Sequence, residues 1–184
     1  MTRVWLIRHG ASTTSPGVAI GVSDPPLSDV GRAQAHSLAG ALANRPLVRV
    51  ISSDLKRALE TATMIAAPHR LVVETSAALR EIDFGTWEGR DLSDLWLEDS
   101  AAARAWEQDV RHTPRAFGES VSDLERRVAG FWKQTSPLPD IGEIAIIGHG
   151  GPLAALRALI SREPIETTIA SRLDLGAVIG LDAG

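Results

Sequence analysis

The chain has 184 residues, 44% of them hydrophobic and 23% charged, with a formal net charge of -4 and five histidines. One globular domain spanning residues 1–184 is expected, and the acidic balance argues against a broad nucleic-acid or anionic-membrane binder, which needs a basic face. Cysteine is absent, which removes disulfides, thiolate metal sites and thiol nucleophiles together, and no membrane-spanning run or secretory leader pattern appears, so a cytoplasmic protein is expected.

Val4 to Ile7 is a continuous apolar run that reads as a buried strand and ends abruptly in Arg8-His9-Gly10. Ser28 or Asp29 can cap a helix carrying Val30, Ala33, Leu38, Ala41 and Leu42. A second strand, Val48 to Ile51, closes on Ser52 and Ser53. Asp54 can cap the helix that follows, which carries Leu55, Ala58, Leu59, Ala62 and Ile65 and ends at Pro68. Leu71 to Val73 is a third strand. The stretch from Asp91 to Pro114 reads as a helical insertion anchored by Trp96 and Trp106, within a lid over about 84–118. Val121, Leu124, Val128 and Phe131 form one stripe of a helix over Val121 to Trp132. Ser120 can cap it or touch a phosphate, and the two readings stand level. A fourth strand, Ile144 to Ile147, runs into Gly148-His149-Gly150-Gly151, and a helix starts at Pro152. Asp174 to Leu181 is a last, antiparallel edge strand. This alternation predicts a three-layer α/β fold, a mainly parallel sheet flanked by helices.

In such sheets ligands bind at the carboxyl ends of the strands. Arg8 and His9, His149, and Ser53 with Arg57 all sit at such ends. Arg8, Arg57, His9 and His149, with backbone donors near Gly10 and Gly150, suit a tetrahedral dianion. No serine lies in a GxSxG elbow, and Ser53-Asp54-Leu55-Lys56 lacks the partner motifs of an SxxK site. Histidine is the remaining nucleophile, and His9 is the candidate. A like charge about 4 Å away costs on the order of 4 kcal/mol at an effective dielectric of ~20, so neighbouring arginines favour the neutral ring. A backbone carbonyl taking the other ring N–H would fix its tautomer. The leaving alkoxide needs a proton, and Leu79 to Gly89 supplies three carboxylates: Glu81, Asp83 and Glu88. A carboxyl group facing a phosphate dianion holds its proton more tightly, as a general acid requires. Residue type alone does not choose among the three.

Six stretches in order resemble the histidine phosphatase superfamily, phosphoglycerate-mutase-like branch: LIRHG at 6–10, DPPLSDVGRAQA at 24–35, SSDLKRALETA at 52–62, LREIDFGTWEG at 79–89, GES at 118–120 and GHGG at 148–151. The resemblance implies a phosphoglycerate-mutase-like fold. It implies phosphorylation of His9, a phosphate cage of Arg8, Arg57 and His149, and Glu81 as proton donor. It also implies that neither metal nor cofactor is needed. Ser12 takes the place of the family's usual threonine hydroxyl. Ala11 replaces its acidic residue, and Ser15 stands where an asparagine phosphate ligand is expected. FGTWEG and the terminal RLDLGAV resemble the α-ribazole phosphatases of cobalamin assembly most.

The leading expectation is a phosphomonoesterase acting on a small phosphorylated metabolite. A phosphoglycerate mutase-type transferase would need a second basic cluster, for which Arg80, Arg90, Arg111 and Arg115 are the candidates. A non-catalytic phospho-ligand module would lack the nucleophile or the acid. His36, His69 and His112 read as surface or packing residues.

Overall fold

The structure, a computed structural model, describes residues 1–98, 101, 104–105, 108–109, 111–112, 118–135 and 137–183. Its elements run β1 (Thr2–Arg8), α1 (Asp29–Leu42), β2 (Leu47–Ser52), α2 (Lys56–Ala66), β3 (Val73–Thr75), α3 (Leu92–Glu98), α4 (Val121–Thr135), β4 (Glu143–Gly148), α5 (Gly150–Ser161), α6 (Ile165–Ala170) and β5 (Val178–Ala183). The five strands form one sheet in the order β3-β2-β4-β1-β5. The first four are mutually parallel, and β5 lies antiparallel along the β1 edge. Among the described residues, no helix is long and apolar enough to cross a membrane.

The unbroken apolar runs have a simple cause. Val4, Leu6, Ile144 and Ile146 face a core shared with α4 and α5, whereas Ile7, Val50, Ala145 and Ile147 face one shared with α1 and α2. Both faces of the sheet are covered, so no strand position in the middle is left for a polar residue. Burying each such side chain contributes about 2 kcal/mol.

Several boundaries shift for local reasons. Arg70 adopts a left-handed turn at φ 56°, and the Leu71 N–H closes the preceding helical end on Ala66 O. Leu71 and Val72 are thus taken up by the turn, and β3 begins only at Val73. Helix α2 is not capped by Asp54, which is held by Arg80; Asp24 reaches over from the 24–27 loop to accept the Lys56 N–H at 2.6 Å. Helix α5 starts two residues before Pro152, because the His149 carbonyl accepts the Leu153 N–H. In α1, capped by Ser28 as expected, Val30, Ala33 and Ala41 are exposed; Gly31, Ala35, Leu38, Ala39 and Leu42 are the buried stripe. The helix is rotated to bring Gly31 against the loop after β1, so closely that a Cβ on Gly31 would lie 1.9 Å from Ala11 O and one on Gly10 2.3 Å from Gly31 O. This contact requires the glycine behind His9.

Of the proposed helical insertion, α3 is described. Trp106, Pro114 and Arg115 lie outside the described residues, and of Trp96 only the backbone is described. Ser120 settles as a helix cap: its hydroxyl accepts the Asp123 N–H at 3.1 Å, and Asp123 accepts in return from Ser120.

Candidate active site

Register alone assembles the site. Arg8 pairs with Gly148 across β1 and β4, and Ser52 with Ile147 across β2 and β4, so three strand ends finish together. The ladder continues one residue further: His9 N–H donates to Gly148 O at 3.1 Å and Ser53 N–H to Ile147 O at 2.9 Å. The rings of His9 and His149 consequently meet edge to face, centroids 4.8 Å apart.

His9 is only 6% exposed. Its Nδ1 lies 2.6 Å from Gly10 O, and Arg57 Nε–H donates to its Nε2 at 3.3 Å. A carbonyl can only accept and a guanidinium can only donate, so the ring proton sits on Nδ1 and the lone pair on Nε2. Burial lowers the His9 pKa to about 3; the Gly10 hydrogen bond opposes this, and the charges of Arg57 and Arg8 add to it. Desolvation thus outweighs the like-charge effect expected from the sequence. His149, fully buried, is held well below its ordinary value, again by burial first and then by the charges of His9, Arg57 and Arg8.

The sign of the resulting pH dependence is fixed. Below about pH 6.5 the unfolded chain takes up protons that the folded state refuses, so stability falls as pH drops through that value toward 3. Above it the two rings add no slope. Between pH 7 and 5 His9 alone is expected to remove roughly 2 kcal/mol, and thermal melts of a His9→Gln variant should be flatter by that amount.

Arg57, in the first turn of α2, is 2% exposed. Besides His9 it donates to Ser23 O at 2.7 Å and Gly21 O at 2.8 Å. Burial pulls its pKa down, and the carboxylates Glu81, Asp24 and Glu88 oppose that. Arg8 donates through Nη1 to Leu173 O at 2.7 Å. Its Nε is buried with no hydrogen-bond partner among the described residues, as is Nδ1 of His149. The Nε2 of His149 lies 2.9 Å from Ser53 Oγ.

The three carboxylates separate cleanly. One oxygen of Glu81 accepts the Ile82 and Gly151 N–H groups, both at 3.0 Å, and the other lies 3.4 Å from where a Cβ on Gly150 would stand, beside Arg8. Asp83 accepts the Gly85 N–H in its own turn. Glu88 is wholly engaged by the 21–23 loop and Phe84 N–H. Only Glu81 faces the cluster.

Not every expected group arrives. The Gly10 N–H is already taken by Thr61 Oγ1 at 3.3 Å. Ser15 is exposed, Ser12 forms an isolated bridge with Leu27, and none of the hydrogen bonds of the cluster reaches either. Three participants escaped sequence reasoning. Thr61 lies one turn after Arg57 on the buried face of α2, a small polar residue among apolar ones. Arg172 reaches within 3.3 Å of the Gly150 Cβ position; burial lowers the Arg8 pKa, Glu81 opposes that, and the Arg172 charge adds to the lowering. Glu88 was grouped with the candidate acids.

Residues 4–183 match the model of the histidine phosphatase superfamily, branch 1. An adenosylcobalamin/α-ribazole phosphatase of Escherichia coli is 32% identical over 181 residues, 98% of this chain and 89% of that one. A glucosyl-3-phosphoglycerate phosphatase of Mycobacterium tuberculosis is 31% identical over 172 residues, 89% and 77% of the two chains. The crystal structure of the α-ribazole phosphatase from Shigella flexneri superposes with a TM-score of 0.90 at 32% identity, covering 98% of this chain and 90% of that one. A buried neutral imidazole whose lone pair meets the Arg57 guanidinium thus stands at the carboxyl edge of a mainly parallel sheet in a chain with relatives along nearly its whole length, and the chain belongs to the histidine phosphatase superfamily, branch 1.

Proposed function

We propose that this chain hydrolyses a small phosphomonoester through a phosphohistidine on His9. One observation carries the reading: Arg8 Nε and His149 Nδ1 are buried polar atoms without partners among the described residues, on side chains at the two paired strand ends that bring the His9 and His149 rings together. Buried polar groups are otherwise paired almost without exception, so donors gathered here call for an acceptor. A phosphoryl group supplies three charged oxygens.

The step then follows from the geometry. The phosphoryl group draws the Arg57 Nε–H away from Nε2, and the exposed lone pair forms an N–P bond. The P–O ester bond breaks, its electron pair goes to the leaving oxygen, and Glu81 gives that oxygen a proton. Water next attacks phosphorus, Glu81 takes a proton from it, and the N–P electron pair returns to Nε2. Arg8 and Arg57 stay charged and His149 stays a neutral donor throughout; none of them forms a bond to phosphorus, which is what phosphoryl transfer asks of a protein.

Beside Glu81 lies a cavity of about 310 Å³ whose wall includes Val22, Asp83, Glu119 and Asp123. Its two arginines are already engaged, Arg80 by Asp54 and Arg127 by Glu119. Glu119 is offset by that same pair, but the wall still carries four carboxylates, Glu81, Asp83, Glu119 and Asp123, against two arginines, and this negative balance favours an uncharged, hydroxyl-bearing alcohol over a carboxylate-bearing one. α-Ribazole 5'-phosphate, the kind of substrate named for the Escherichia coli relative, fits that description. Among the described residues, the basic side chains a mutase would draw on are already paired, Arg80 with Asp54, Arg90 with Glu98, and Arg111 with Glu125 and Glu166; Arg115 lies outside the described residues.

The test is a Glu81→Gln variant assayed on two kinds of ester. With alkyl phosphates, whose leaving oxygen needs a proton, turnover should fall by about 10²- to 10⁴-fold. With p-nitrophenyl phosphate the first step needs no acid, so a burst of nitrophenolate should precede slow turnover as phosphohistidine accumulates. Equal losses on both substrates with no burst would remove Glu81 from the role.

A further inference from the structure

We infer that Glu88 is a positioning residue for phosphate binding, acting through the 21–23 loop on Arg57. Each of its oxygens is committed to that loop. Oε1 accepts from Gly21 N–H at 3.0 Å, Val22 N–H at 3.1 Å and Phe84 N–H at 3.1 Å; Oε2 accepts from Ser23 N–H at 3.1 Å and the Ser23 hydroxyl at 2.5 Å. The carbonyls of Gly21 and Ser23, from the same two residues, receive both outer nitrogens of Arg57. Carboxylate, loop and guanidinium therefore form one chain that ends at the Nε2 of His9.

The loop's N–H groups are gathered by Glu88 and its carbonyls by Arg57, and its backbone admits only glycine at its head. A Cβ on Gly21 would stand 2.0 Å from Ile82 O and 2.4 Å from Glu88 Oε1. The segment carrying Glu88 is itself laced to the chain before the loop: Gly89 N–H donates to Ala19 O, Ala19 N–H to Arg90 O and Leu92 N–H to Gly17 O. Gly89, at φ 76°, makes the turn that permits this. The FGTWEG stretch thus clamps residues 17–23, and Glu88 is the point at which the clamp reaches the phosphate ligand. A guanidinium whose two outer nitrogens are fixed binds an oxyanion without first being ordered, which is where a positioning residue acts.

The inference rests on Arg57 as a phosphate ligand, so the experiment reads the arginine both with and without catalysis. In Glu88→Gln one oxygen becomes a donor facing donors. The Arg57 Nε–H, followed by ¹⁵N NMR in the full chain, should exchange with solvent at least about tenfold faster. For p-nitrophenyl phosphate kcat/KM, and for orthovanadate affinity, the loss should be roughly ten- to hundredfold in the wild-type background and absent in an Arg57→Ala background. Ser23→Ala, which leaves the carboxylate in place, should show a smaller loss with the same dependence on Arg57 and serves if Glu88→Gln does not fold. An equal loss in both backgrounds, or unchanged Arg57 exchange, overturns the inference. A wild-type chain that neither turns over phosphomonoesters nor binds vanadate overturns the functional reading instead, and the exchange measurement still decides the positioning.

Discussion

Replacing His9 with alanine is expected to lower phosphomonoesterase activity by about four orders of magnitude or more and to leave no acid-labile, base-stable phosphate on the chain. The size follows from the lack of a substitute. The chain has no cysteine, the Ser53 hydroxyl is tied to His149 and to Leu55 N–H, and the proposed mechanism uses His149 as a donor. Radiolabelled substrate quenched in alkali should mark the wild-type chain alone. Undiminished labelling of the His9→Ala variant would place the nucleophile elsewhere. His149→Ala should remain labelled, though more slowly, because it loses a donor and keeps the attacking lone pair.

Arg57→Ala carries the second largest effect, and it acts on two quantities at once. Activity should fall on the order of 10³-fold, as when a fixed donor to a developing oxyanion is removed. Stability should fall as well, by roughly 2–4 kcal/mol, since the Gly21 and Ser23 carbonyls lose their partners and a fully buried side chain leaves a hole. Chemical denaturation of the apo chain reads the second loss separately from the first. Arg57→Lys should recover little of either, because an ammonium cannot span both carbonyls while addressing Nε2 of His9. A lysine variant with near-native kcat/KM would mean that only charge matters at this position.

Much of this site could be read from the sequence because a parallel sheet gathers the carboxyl ends of its strands. Arg8-His9 and Gly148-His149 follow apolar runs directly, so placing the strands places the imidazoles. The choice among Glu81, Asp83 and Glu88 could not be read that way. Glu81 and Asp83 lie on irregular backbone between two short 3-10 turns and Glu88 directly follows the second, where no periodicity says which side chain faces inward. Arg172 escaped for a similar reason: it follows a six-residue helix and reaches the cage only because the chain returns past Gly150. Ser15 illustrates the opposite case, a residue expected from the motif resemblance that the loop's path leaves exposed and outside the cluster's hydrogen bonds. The burial of His9 was also out of reach, since the desolvation that dominates its titration depends on what packs above it.

The hydrogen bond from Arg57 Nε to His9 Nε2 has a chemical consequence for the resting protein. Until an oxyanion arrives to claim the guanidinium, the imidazole electron pair is screened from ordinary electrophiles. Acylating or alkylating reagents without a strong negative charge have nothing with which to draw the arginine aside. In the proposed mechanism the nucleophile is therefore latent, unmasked by the same ion it attacks.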